Sequence, residues 1–390
     1  MASVRHKLLH RTRRPHQILA LVVFALLSYA RHLTRVQPFA QQDANGVETT
    51  LKCSRHSCML RNTCVREDGV LLLYGAHAQM ILVKNFLATF RVRSFGGARY
   101  SAELAGKALP ALRYSSRFGI LIDRYVENNC GHILGDEVWS VFRLALSHDK
   151  GNNIERHGVG DVLLNFSTLH PCDEMFHAIS RRVYTLGQRE TVCYEKVVLG
   201  VSGISYADGY GIESQRYLRS SNFTNEMRMF RKLFYLRSIV KSQATASKVL
   251  IMVKKVGSHM VNIENIDELE AVVKVRLPWL SVMRVSWSDM SHHEQVRLLS
   301  ETKLIISLPG SDLMNGIFLP DGSHIVIFCR YVDGREEASN ERALWLKHLG
   351  YITVNEFCGD NTRESSNHNV WVNVSSALRV FDEVSLRQLD

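Results

Sequence analysis

A chain of 390 residues, 46% apolar and 22% charged, has the balance of an ordinary globular protein and the length for two cores rather than one. Its net charge of +10 would suit a nucleic-acid partner, but Arg5, Lys7, Arg11, Arg13, Arg14, Arg31 and Arg35 concentrate most of it in residues 1–36, which hold no Asp or Glu. The folded remainder is near balance, and nucleic acid is excluded as its partner.

These basic residues flank an apolar run at 17–30. Positive charge mostly ahead of a short apolar stretch is the layout of a secretory signal or of a signal-anchor with a cytosolic N-terminus. The run falls short of the ~20 residues that span a typical bilayer, and Ser28-Tyr29-Ala30 offers a small-residue cleavage site. Thinner membranes of the early secretory pathway accept shorter spans. We expect a cytosolic tail over 1–16, an uncleaved single-pass type II anchor over 17–34, and a polar stem over 35–65.

Two other features fit a lumenal chain. Asn165-Phe166-Ser167, Asn222-Phe223-Thr224 and Asn373-Val374-Ser375 are glycosylation sequons. The eight cysteines, Cys53, Cys58, Cys64, Cys130, Cys172, Cys193, Cys329 and Cys358, are even in number and do not show the spacing of a tetrahedral zinc site. Disulfides are expected, with the pairing left open.

From residue 66 short apolar runs alternate with helical patterns: strands at 70–74, 118–122, 161–166 and 193–200, helices at 133–147 and 173–184. Such alternation predicts a mostly parallel sheet with helices on both faces. His132 and Asp136, four apart at the start of a helix, share a face and are able to point into one pocket. An amphipathic helix at 225–240 ends the first domain, which spans 66–240, and crosses to the second half. A polar linker at 241–247 leads to a more regular pattern over 248–345: strands at 249–253, 282–286, 304–307 and 325–328, helices at 266–276, 291–301 and 340–349. Ser291 and Glu294 form a capping box at the start of one helix. This half reads as a doubly wound domain, with residues 346–390 as a C-terminal extension.

The stretch Lys303 to Arg330, KLIISLPGSDLMNGIFLPDGSHIVIFCR, is a strand, a Gly-containing loop, a helix at 311–319 and a second strand. Backbone N–H groups at such a helix start suit a phosphate or another anion.

Taken in order, Asn129-Cys130-Gly131-His132 with Asp136, Val192 to Gly200, Lys254-Lys255 with Asn262, Ser291 to Gln295, and Pro309-Gly310-Ser311-Asp312-Leu313-Met314-Asn315 followed by Phe318-Leu319-Pro320 resemble glycosyltransferase family 61 over roughly residues 118–330. The resemblance implies an α/β, GT-B-like fold of two Rossmann-like domains facing a cleft, behind a signal-anchor helix. It also implies inverting, metal-independent transfer of a sugar, xylose or GlcNAc first, from a UDP-sugar donor to a hydroxyl of a glycan or glycoprotein in the Golgi or endoplasmic reticulum. No cofactor beyond the donor substrate and no metal is expected, and the chain has no Asp-x-Asp. The family commonly has His-Gly-Ala-Gly-Leu where this chain has Pro309-Gly310-Ser311-Asp312-Leu313, and Asp312 is expected to cap the helix rather than to face phosphate.

An inverting transfer needs a base for the acceptor hydroxyl and positive groups for the leaving diphosphate. Asp136 or His132 is the expected base. Lys254, Lys255 and His259, with the Gly310, Ser311 and Asp312 loop, are expected to hold the nucleotide, and Asn262 and Asn315 to reach donor hydroxyls. A non-catalytic glycan-binding scaffold of the same fold is the alternative, and a lumenal hydrolase using Ser311 a third reading.

Overall fold

The structure is a computed structural model that describes residues 48–53, 57–75, 101–106, 116–124, 129–148, 154, 158–166, 169–185, 187, 190–200, 216–238, 246–253, 261–332, 335–337, 345–364 and 369–386. The expected cytosolic tail and anchor lie outside these residues, as do most of the stem and Lys254, Lys255 and His259. Among the described residues no helix is long and apolar enough to cross a membrane.

Among the described residues the first lobe has eight strands: β1 (Thr50–Cys53), β2 (Ser57–Val65), β3 (Leu71–Tyr74), β4 (Ala102–Gly106), β5 (Ser116–Ile122), β6 (Asp161–Leu164), β7 (Arg182–Thr185) and β8 (Val192–Gly200). They lie in the order β4-β3-β2-β8-β5-β6-β7, with β1 paired to β2. The half from β8 to β7 is parallel, as the alternation predicts. Strand β2 runs antiparallel to both β8 and β3, so the sheet is mixed. The stem expected to run to residue 65 therefore ends earlier, because its last residues fill the middle of this sheet. Cross-strand neighbours Cys64 and Cys193 are bridged there, as are Cys53 and Cys58 between β1 and β2.

Helix α1 (Trp139–His148) follows β5, preceded by a turn at Cys130–His132 and a π-helical segment at Ile133–Val138. Helix α2 (Met175–Ile179) follows β6. The expected helix at 173–184 stops at Ile179, because Arg182-Val183-Tyr184-Thr185 pairs with β6 as an added parallel strand. Helix α3 (Ser221–Arg237), capped by Ser220, links the lobes.

The second lobe contains β9 (Lys248–Met252), α4 (Ile266–Arg276), β10 (Ser281–Val285), α5 (His292–Ser300), β11 (Thr302–Ser307), β12 (Ser323–Phe328), the hairpin of β13 (Arg330–Val332) and β14 (Arg335–Glu337), and β15 (Ile352–Phe357). Its sheet is wholly parallel in the order β10-β9-β11-β12-β15. The segment expected as a C-terminal extension thus supplies an edge strand of this sheet, then the hairpin of β16 (Thr362–Glu364) and β17 (Val370–Val372), then α6 (Leu378–Leu386).

Strand alternation explains the layering. Val249, Ile251, Leu304, Ile306, Val326 and Phe328 face one side of the second sheet, where they pack with α4 and α6. Leu250, Met252, Ile305, Ile325 and Ile327 face the other side and share one core with α3, α1 and the first sheet. Trp139 of the first lobe lies edge-on to Trp345 of the second at 5.8 Å and to Phe230 of α3 at 5.3 Å. Residues from 44 onward form one compact unit. The strand order reverses between β9 and β11, and ligands of open parallel sheets bind at the carboxyl ends of strands flanking such a switch point.

Candidate active site

Two segments meet at this end of the second sheet. The first begins at Asn129, whose Oδ1 accepts the His132 N–H at 3.3 Å and whose carbonyl accepts the Ile133 N–H at 2.9 Å, starting the helical turn. The chain then widens into the π segment, a feature often found at functional sites. Here His132 Nδ1 lies 2.8 Å from Asp136 Oδ2. The Asp136 side chain is 4% exposed and that of His132 14%. A buried carboxylate is stable only when partnered. As the acceptor it makes Nδ1 the protonated nitrogen, so that the lone pair of the ring is carried by Nε2.

A second layer supports this turn. Cys130 is bridged to Cys172. Arg124 pairs with Asp173 and sets its Nε 3.6 Å from Glu137 Oε2. Its guanidinium also lies 4.0 Å over the Phe166 ring. Cys130, His170 and Cys172 approach one another as closely as metal ligands do, but the two thiols are joined, and His170 Nδ1 accepts the Cys172 N–H at 3.2 Å as a helix cap.

The second segment leaves β11 through Pro309 and Gly310 into a helix at Ser311–Phe318. The helix is 3-10 rather than α, and Asp312 makes no capping hydrogen bond. Ser311 and Asp312 are half-buried. Among the described residues, neither side chain has a polar partner. Asn315 is turned inward instead: its Nδ2 donates to Gln295 Oε1 at 3.0 Å, and Gln295 Nε2 donates to the carbonyls of Trp287 and Met290 at 3.0 and 3.1 Å.

The two segments touch at Gly131. A Cβ there would lie 2.7 Å from Ser311 Cβ and closer still to the Ser311 carbonyl oxygen. The structure therefore unites His132, Asp136, Gly310, Ser311 and Asp312, which are far apart in sequence. Asn315 belongs to the same segment but is spent on Gln295. Asn262 has its N–H bonded to Asn369 Oδ1 at 3.0 Å and its carbonyl to the Val370 N–H at 2.9 Å, beside β17.

Asn129, Gly131 and Gln295 lie in the fragments that carry the resemblance, but sequence reading assigned none of them a role of its own in the site. A signal existed for Gln295, which lies four residues after the Ser291 cap on the apolar face of α5, where a polar residue needs a buried partner. Nothing local marks Gly131, because its constraint comes from a residue 180 positions away.

A family model described as Glycosyltransferase 61 matches residues 157–326. Protein O-linked-mannose beta-1,4-N-acetylglucosaminyltransferase 2 of Xenopus tropicalis is 24% identical over 152 residues, which are 38% of this chain and 25% of that protein. The Xenopus laevis protein of the same name matches to the same extent. The match thus spans a quarter of these relatives' length. The family match takes in β11 and the 311–318 helix and begins after His132 and Asp136. Over residues 157–326 the chain is thus similar to the Glycosyltransferase 61 family.

Proposed function

We propose that the protein is an inverting glycosyltransferase of GT-B type, acting in the lumen of the secretory pathway without an obligatory metal. The reading is carried by the meeting of the His132 turn with the 310–315 loop at the carboxyl end of β11, beside the switch point of a doubly wound sheet. That end of such a sheet is where nucleotides bind, and the His132–Asp136 pair supplies a base at its edge. Four disulfides support an oxidising compartment.

His132 Nε2 takes the proton of the acceptor hydroxyl, with Asp136 stabilising the imidazolium that forms. The acceptor oxygen attacks the anomeric carbon, and the nucleoside diphosphate leaves with the electrons of the glycosidic bond. Lys254, Lys255 and His259, together with backbone N–H groups of the loop, stabilise its charge. The printed name of the two relatives bears on the donor: it specifies N-acetylglucosaminyl transfer to O-linked mannose. UDP-GlcNAc is therefore the first donor to test, UDP-xylose the second, and a glycan or glycoprotein hydroxyl the acceptor.

A second reading, a non-catalytic glycan-binding scaffold, is favoured by one observation. The Asp312 carboxylate stands half-buried in the loop without a polar partner among the described residues, where it would oppose a diphosphate.

Thermal denaturation against UDP and UDP-sugars, with and without EDTA, separates the two. A ligand at about a hundredfold its Kd adds about 2.7 kcal/mol of stability. The transferase reading expects a shift by UDP and one UDP-sugar that survives EDTA, and the absence of any nucleotide shift would leave the scaffold. His132→Ala is then expected to lower kcat by about 10²–10⁴, the usual share of a general base, with the donor-induced shift retained.

A further inference from the structure

The two halves of the site are joined a second time, behind it. Cys130, next to Gly131, is bridged to Cys172. Two residues further on, Glu174 Oε1 accepts the N–H of His292, the first residue of α5, at 2.7 Å. The capping box of Ser291 and Glu294 satisfies the N–H groups of those two residues. The N–H of His292 is one of the orphan donors at a helix start and needs an acceptor from elsewhere. Glu174 provides it from the first lobe, with a charge that also suits the positive end of the helix. One turn along α5, Gln295 holds Asn315 at 3.0 Å. A continuous chain of contacts therefore runs from the His132 turn through residues 172–174 and α5 to the 311–318 helix.

We propose that Glu174 is a positioning residue: by capping α5 from the first lobe it sets, through Gln295 and Asn315, where the 311–318 helix stands against the His132 turn. Its structural consequence is independent of the transferase reading, while its kinetic consequence rests on that reading.

The test is hydrogen exchange on the whole protein and on Glu174→Ala, Glu174→Gln and Gln295→Ala. Glu174→Ala should speed exchange of the 311–319 amides by about tenfold, the loss expected for one charge-assisted hydrogen bond. Glu174→Gln should restore protection, because its side-chain oxygen still accepts the His292 N–H. Adding Glu174→Ala to Gln295→Ala should add little at 311–319, because the second change has already cut the path. In turnover assays the Glu174→Ala effect should fall chiefly on donor KM, which a general loss of stability would not select. Unchanged exchange at 311–319, full additivity of the two variants, or faster exchange spread evenly over the chain and not rescued by Gln would each overturn the proposal. Selective loss of protection in a protein that binds no nucleotide would uphold the positioning and sink the transferase reading.

Discussion

Gly131 is the residue at which the His132 turn and the 311–318 helix touch. Its neighbour across the seam is backbone, the Ser311 carbonyl, and not a side chain that is able to swing away. Gly131→Ala must therefore push the His132 turn and the 311–318 helix apart. We expect a loss of about 1–3 kcal/mol, typical of overpacking, read by urea unfolding, together with a fall in turnover. His292 carries a different constraint. Its ring lies edge-on to Phe234 and Phe318 at 5.2 and 5.6 Å with neither nitrogen hydrogen-bonded among the described residues. Burial, with a smaller effect of His293, pushes it down to about 3. The folded pKa lies below the unfolded value, so below about pH 6.5 the unfolded chain gains a proton that the native ring refuses. Stability is unaffected above that pH and falls through the acid range, by about 2 kcal/mol between pH 7 and pH 5. His292→Leu should flatten this slope in denaturation curves measured across that range; an unchanged slope would mean that other groups govern acid sensitivity.

Helix α3 acts on the 311–318 helix as a unit. It reaches the strip of carbonyls that ends the 311–318 helix: Tyr235 donates to Phe318, Arg231 to Leu319, and Tyr351 donates to Ile317 at 2.8 Å. Arg231 and Arg228 also pair with Asp321 at 2.6 and 2.8 Å. These carbonyls are among those that any helix leaves unsatisfied at its end. Burial pushes the Tyr235 hydroxyl up to about 12 and that of Tyr351 up as well, so both stay donors at neutral pH. Tyr351 is the more buried of the two. Tyr351→Phe should therefore cost about 1–3 kcal/mol, the penalty for stranding a buried carbonyl, and Tyr235→Phe less; chemical denaturation of the two variants measures the order. Elements of this lobe were legible where local and tertiary preferences agree. Helix α4 runs over the expected 266–276, and the capping box starts α5 as its sequence indicates. The 311–318 helix was legible as a helix but not as a 3-10 helix, because these distant side chains shape its end. Strand β2 was illegible for the opposite reason. Arg61-Asn62-Thr63 interrupts its apolar pattern, and only pairing with β8 and β3 makes those residues a sheet centre.

At the scale of the molecule, the chain holds distant segments together covalently as well as by its core. The alternation of strands and helices and the even cysteine count were open to sequence reading. The pairing was not, because it depends on register: Cys64 meets Cys193 only once β2 is placed antiparallel to β8. That bridge spans 129 residues, whereas Cys53–Cys58 spans 5. If cross-links act by limiting the unfolded chain, the long loop contributes about 5 kcal/mol and the short one about 2. Cys64→Ser with Cys193→Ser should therefore lower the unfolding free energy by clearly more than Cys53→Ser with Cys58→Ser, as calorimetry of the two double variants would show. The strands beneath both bridges are also hydrogen-bonded. Equal penalties would mean that β2 is held by its ladder rather than by its cross-link. The bridge would then be dispensable for the seam at which His132 meets the 311–318 helix.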